Sequence, residues 1–205
     1  MIFSVANKKI IINFIKLGIS TCWKTNCKKI NIKNIDIAIN NNFKGKIDEL
    51  YLEATNLIYR NFYLNRIVIT FSDFNLEFIY KKNLRHSDQF IKCLCEIDKI
   101  NLKNILFTDK FKSLRIQIQE YATEALYIDN LKIKNGLINF FYKKNNIILK
   151  SSFVLKLEKN LIFLENIINK KKMIIPMDRN IRFNSCEIKD EVIHIDFLSK
   201  VIFNN

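Results

Sequence analysis

Two histidines, five cysteines and twenty acidic residues are the groups in this 205-residue chain that could carry catalysis or hold a metal. His86 stands in a polar run, KKNLRHSDQ, and His194 alternates with Ile193 and Ile195 as an ordinary strand residue would. Neither has a Ser or Cys beside it in a nucleophile motif of the kind that a catalytic relay requires. Asp48, Glu49 and Glu53 flank apolar strand positions, and Glu120 and Glu124 sit one helical turn apart. Both sets read as solvent-facing side chains and not as metal ligands. Three glycines spread over the whole chain cannot build a phosphate-cradling loop. The cysteines, Cys22, Cys27, Cys93, Cys95 and Cys186, include no C-x-x-C pair, and an odd number cannot close into a disulfide set. Cys93 and Cys95, two apart in an apparent strand, are expected to share one buried face, and a reducing compartment suits them. The residues therefore describe a protein that is not an enzyme and uses no metal or other cofactor.

The net charge of +14 invites a nucleic-acid reading. Among the basic residues, however, only Arg60, Arg66, Arg85, Arg115, Arg179 and Arg182 are Arg. Arginine is the side chain that makes bidentate contacts to bases and phosphates. An excess of Lys, together with over-used Ile, Asn and Phe, reads first as composition. It gives a solvated surface with a general attraction to anionic partners, acidic membranes as much as nucleic acid.

The elements that would have to position a site are strands for the most part. The organising stretch is 44–80, two long strands joined by a tight connection at Arg60–Asn61. Leu50, Leu52, Ala54 and Ile58 share one face of the first, and Ile67, Ile69 and Phe71 one face of the second. This period-two alternation marks a sheet with one buried side. The phase slips at Ser72–Asp73, where a bulge or bend near Asp73 would keep Phe74, Leu76 and Phe78 on the apolar side. A strand with another phase slip at Ile32–Ile35 precedes the hairpin, and Phe90–Ile97 reads as a strand after it. Asp98 is a plausible N-cap for a helical region at 98–125. Strands follow at Leu131–Ile133, Leu137–Tyr142, Ile147–Leu157 and Leu161–Ile168, with turns at Asn135–Gly136, Lys143–Asn146 and Lys159–Asn160. A basic loop, Asn169–Lys172, leads to two closing strands, Asn180–Glu187 and Glu191–Phe203. Residues 8–29 form an amphipathic helix candidate with a stripe of Ile11, Phe14, Ile15, Gly18, Ile19 and Cys22. Its apolar run is too short to span a bilayer, and no cleavage site follows it. The fold class is α+β: a long curled antiparallel sheet around the central helical segment, plus the N-terminal helix.

The run WKTNCKKINIKNIDIAINNNFKGKIDELYLEATNLIYRNFYLNRIVITFSDFNLEF resembles the bacterial LmeA-like phospholipid-binding family. Trp23 and Cys27, Gly45–Ile47, Tyr59–Leu64 and Asn75–Phe78 stand where that family has its helix end, strand entry, hairpin connection and second turn. The C-terminal IRFNSCEIKDEVIHIDFLSKVIF is similar to its paired closing strands. The resemblance covers roughly residues 20–205. The chain departs from the pattern at Asn61, where the family often has Gly, and its turns are poorer in Gly and Pro.

The resemblance implies one lipid-binding-like domain over residues 1–205, with a fold similar to tubular lipid-binding domains and acyl chains lying between sheet and helix. It implies reversible docking on an anionic membrane. On this reading Phe71, Phe74, Phe78, Phe107 and Phe111 line the lipid seam, while Phe14, Trp23, Lys170, Lys171 and Lys172 touch the membrane. Such a protein, with no signal peptide evident, is expected to be cytoplasmic or peripheral on the cytoplasmic membrane face. The rival readings are a lysine-rich nucleic-acid-binding protein and a structural partner protein that docks through the N-terminal helix.

Overall fold

The structure, a computed structural model, describes residues 5–40, 46–75, 90–120, 128–144 and 147–200. Helix α1 (Val5–Asn26) leads into β1 (Lys29–Ala38), β2 (Lys46–Tyr59), β3 (Phe62–Asn75) and β4 (Phe90–Ile97). Then come α2 (Lys99–Leu106), a 3₁₀ turn (Asp109–Phe111) and α3 (Lys112–Glu120). The rest is strand: β5 (Ile128–Lys134), β6 (Leu137–Lys144), β7 (Ile147–Glu158), β8 (Leu161–Asn166), β9 (Lys172–Ile174), β10 (Ile181–Lys189) and β11 (Val192–Lys200). Expected positions 121–125 of the helical region, the connection at 81–89 and residues 201–203 of the last strand lie outside the described residues.

The central hairpin forms as its alternation requires. Tyr59 faces Phe62 and Lys46 faces Asn75, so both strands are paired over their full length. Arg60 and Asn61 turn the chain with φ of 45° and 66°, the double left-handed connection whose twist matches that of the flanking strands. The slip in β1 is a register shift between Ile32 and Asn34, which brings Ile35 back to the side of Leu52. Asp73 takes a left-handed conformation, φ 56°, but the β2–β3 register runs past it unbroken. The phase change there is thus a local backbone kink and not an inserted residue.

The strands divide between two antiparallel sheets, where the sequence reading has one long sheet. The first runs β1-β2-β3-β4-β11-β10 and the second β5-β6-β7-β8-β9. The helical excursion after β4 lets the chain start a new sheet, and β11 then returns to pair with β4, with Ile193 opposite Ile97 and Lys200 opposite Phe90. One face of the first sheet is apolar from strand to strand. Leu52, Ile69 and Cys93 lie in one row, and Ala54, Ile67, Cys95 and Ile195 in the next, all buried. Ile138, Phe140, Phe153, Ile162 and Leu164 of the second sheet complete the same core, with Phe140 and Phe153 edge to face at 5.4 Å.

Two polar devices fix this packing. The Asp98 carboxylate caps α2 by accepting from the Asn101 N–H at 2.8 Å, as its position predicts. It also accepts from the Asn65 side-chain amide at 2.7 Å, which ties the helix start to β3. In the left-handed turn between β7 and β8, Asn160 reaches the edge strand β10. Its amide donates to the Ile181 carbonyl at 2.9 Å and its oxygen accepts from the Phe183 N–H at 2.6 Å. An otherwise bare strand edge is thereby partly covered.

Candidate functional site

Helix α1 packs along the edge strand β1. Ile11, Ile12, Ile15, Ile19 and Trp23 are half-buried against the core, whereas Ile10, Phe14 and Leu17 point to solvent. The helix therefore carries apolar side chains on two flanks instead of one stripe. Beside it, a groove of about 940 Å³ crosses one end of the first sheet, from β1 through β2, β3 and β4 to β11. A space of this size is on the scale of small-molecule sites, roughly 300–1,000 Å³. Its apolar lining comes from Ile12, Ile37, Leu50, Phe71, Phe90 and Leu198. Lys16, Lys92, Asp36 and Glu49 also border it, so the groove offers both a hydrocarbon surface and charge. Lys16 meets Asp36 at 3.5 Å and Lys92 meets Asp196 at 3.5 Å. Long, solvent-screened pairs of this kind are worth little and exchange readily for another anion.

A second space lies deep between the sheets and under α2 and α3. It is bounded only by apolar side chains, among them Phe62, Phe111, Ile138, Phe140 and Leu164, and holds about 70 Å³. This space is far smaller than the groove, which is the roomier of the two for an acyl chain.

Of the expected seam residues, the three whose side chains are described, Phe71, Phe107 and Phe111, do not come together. Phe71 lines the open groove. Phe111 is buried in the closed seam, edge to face with Phe62 at 5.9 Å. Phe107 is half-exposed on the outside, with the Arg115 guanidinium 5.2 Å from its ring centroid. The backbone of Phe74 belongs to β3, but its side chain and the whole of Phe78 lie outside the described residues. Of the expected membrane contacts, Phe14 is 71% exposed and Trp23 is packed inward. Lys170 and Lys171 stand exposed in the β8–β9 turn, while Lys172 is engaged by Glu158 at 2.6 Å. Ile12, Lys16, Lys92 and Leu198 border the groove without having been singled out from the sequence. They are distant in the chain, and only the strand order β1-β2-β3-β4-β11 brings them to one place.

The groups that might do chemistry are otherwise occupied. His194 lies opposite Glu96 on the outward face of the first sheet, at 3.9 Å. Glu96 itself accepts from Arg66 at 2.9 Å, and Arg66 also donates to Glu53 at 2.7 Å. The Arg66 hydrogen bond, helped by one from the Tyr51 hydroxyl, holds the Glu53 carboxyl below its ordinary 4.5. Cys93 and Cys95 share a buried face, as their spacing predicts. Burial pushes the thiols of Cys93 and Cys186 up to about 12 and raises Cys27 and Cys95 as well. A thiol so raised is protonated at neutral pH and is a poor nucleophile. Among the described residues no group of three or more His, Cys, Asp or Glu is placed to hold a metal ion.

Fold and site together define an α+β protein of two antiparallel sheets on one core, with an amphiphilic groove where α1 meets the first sheet. Set against known proteins, the chain matches no family model, no curated protein and no solved structure.

Proposed function

We propose that this protein binds phospholipid without catalysing a reaction, docking reversibly on anionic membranes and laying an acyl chain in the groove beside α1. The observation that carries the reading is the groove itself: about 940 Å³, lined in part by Ile12, Ile37, Leu50, Phe71, Phe90 and Leu198, with Lys16 and Lys92 as well as Asp36 and Glu49 at its border. A chain gains about 0.8 kcal/mol for each methylene it buries there, with no polar contact needed. The lysines supply the attraction for a phosphate, each worth about 1 kcal/mol near an anionic surface. The ligand class is our proposal from the resemblance to the LmeA-like family read in residues 20–205 of the sequence. The closed seam then serves as core and not as lipid site. Among the described residues no helix is long and apolar enough to cross a membrane, which is compatible with docking at its surface.

Nucleic acid binding on the sheet would favour aromatic side chains displayed on an open face. Phe183 and Phe197 instead pair at 6.0 Å on the packed face of the first sheet. This favours the lipid reading over its rival.

The test is native mass spectrometry of the purified protein before and after exposure to phosphatidylglycerol vesicles, with analysis of extracted lipid. Bound phospholipid is expected, and Phe71→Glu and Leu198→Glu should each remove it while leaving the circular dichroism spectrum in place. A protein that carries no lipid and takes none up would end this reading. So would uptake that both variants leave untouched.

A further inference from the structure

The register of the first sheet carries one row of side chains across all its strands. Asp36 of β1 lies opposite Tyr51 of β2, Tyr51 opposite Thr70 of β3, and Thr70 opposite Lys92 of β4. Lys92 in turn lies opposite Leu198 of β11, and Leu198 opposite Arg182 of β10. Residues directly opposite on neighbouring strands share a face. From Asp36 to Leu198 the row lines the groove beside α1. With strands about 4.8 Å apart, that part of the row is roughly 19 Å long.

The two ends of the row differ in charge. At the α1 end the groove has one cation, Lys16, and two carboxylates, Asp36 and Glu49. At the other end the balance is reversed. Lys92 and Arg182 flank Leu198, and Asp196, two residues back along β11 on the same face, is the carboxylate beside them. Asp196 meets Lys92 at 3.5 Å and also accepts from the Asn184 side-chain amide at 3.1 Å. Among the described residues Arg182 pairs with no carboxylate. Its guanidinium lies 5.1 Å from the centroid of the Phe90 ring. Phe90 belongs to β4 and lines the groove, so Arg182 reaches back across β11 and brings its N–H fork to the groove.

We infer that Lys92, Arg182 and the Thr70 hydroxyl hold the phosphate of the bound phospholipid at the β4–β11–β10 end, with the acyl chain running towards α1 along Phe71, Leu50 and Ile12. A planar guanidinium can donate to two phosphate oxygens at once, and the lysine adds a point charge. Asp36 and Glu49 repel a phosphate from the opposite end, which fixes the direction of the ligand. This inference rests on the lipid-binding reading and orients the lipid within the same groove.

The full chain is titrated calorimetrically with dihexanoyl phosphatidylglycerol below its micellar concentration, and separately with glycerol phosphate. Lys92→Gln and Arg182→Gln should each weaken phospholipid binding about tenfold. Arg60→Gln, which removes the same charge at the distant β2–β3 turn, should leave it unchanged. Amide NMR spectra of the native chain give the orientation directly. A nitroxide on the lipid headgroup should broaden the signals of Lys92 and Arg182, and one at the chain end those of Ile12 and Lys16. If both glutamine variants bind as tightly as the native chain, or if the headgroup nitroxide broadens α1 instead, the inference fails while lipid binding stands. It fails in the same way if Lys16→Gln weakens binding more than either of them. If the native chain takes no phospholipid, the lipid reading fails and takes the inference with it. Glycerol phosphate binding as tightly as the phospholipid would mark a site for a phosphate ester without a chain, which overturns both.

Discussion

Raising the pH above 9 is expected to destabilise the first sheet through its own cysteines. Cys93 and Cys95 lie on the apolar face of β4, and Cys186 lies on the same face of β10, across Ile195. Burial is the main cause that pushes Cys93 and Cys186 from 9.0 up to about 12, with the Asp196 and Glu187 carboxylates adding to it. A group that holds its proton more tightly when folded contributes stability that is complete below its unfolded value. That stability is lost as the pH rises towards its folded value. The window here runs from pH 9 to about 12. At about pH 10.5 each thiol has lost roughly 1.5 pH units at 1.36 kcal/mol, or about 2 kcal/mol. The two together remove about 4 kcal/mol from a total that for domains is about 5–15 kcal/mol. Urea midpoints at about pH 8 and about pH 10.5, under reducing conditions, measure the drop. The double variant Cys93→Ala/Cys186→Ala should lose about 1 kcal/mol per site at about pH 8 from lost packing. Its further drop at about pH 10.5 should be smaller than that of the native chain by about 4 kcal/mol. Ultraviolet absorbance of the thiolates gives an independent reading. The reasoning is refuted if the thiols ionise near pH 9 while the protein is still folded, or if the double variant falls as steeply as the native chain.

Tyr142 is wholly buried and its hydroxyl donates to the Ile118 carbonyl of α3 at 3.1 Å, so Tyr142→Phe should cost about 1–2 kcal/mol in urea unfolding. Arg66→Gln should flatten the acid limb of stability. The Glu53 carboxyl, held low chiefly by Arg66, contributes above pH 4.5 and loses that contribution as the pH falls through its lowered value. A Tm deficit for this variant that is larger at neutral pH than at about pH 3, and smaller in high salt, is the expected result. An equal deficit at both pH values would assign Arg66 a packing role only.

Local features of the fold were legible because local chemistry decides them. Alternation set out the 46–59 and 62–75 strands, and a two-residue polar link between them can close only one way, so Arg60–Asn61 was found as the turn. Asn135–Gly136 and Lys159–Asn160 are left-handed pairs at the places the turn chemistry indicated. Asp98 caps a helix because a carboxylate just before a helical period has an unpaired N–H to accept from. The short strand β9 is not legible in the sequence. Three residues after a run of lysines carry too little pattern, and only pairing with β8 makes them a strand.

The site was far less legible. Phenylalanines on regular periods looked alike in the sequence, yet Phe71 borders the groove, Phe111 is core and Phe107 lies under Arg115 at the surface. Periodicity says which face of an element is apolar, but not which other element covers it. The same limit applied to α1, whose inward residues are fixed by contact with β1 and whose Phe14 is left outside.

By itself the sequence determined the antiparallel strands, their turns, the helix cap and the shared burial of Cys93 and Cys95, all of which depend on residues close in the chain. The tertiary structure alone decided that the strands form two sheets, that β11 returns to β4, and that Ile12, Phe71 and Leu198 border one groove. Pairing between distant strands is chosen by the fit of whole apolar faces, and no short stretch of sequence contains that information.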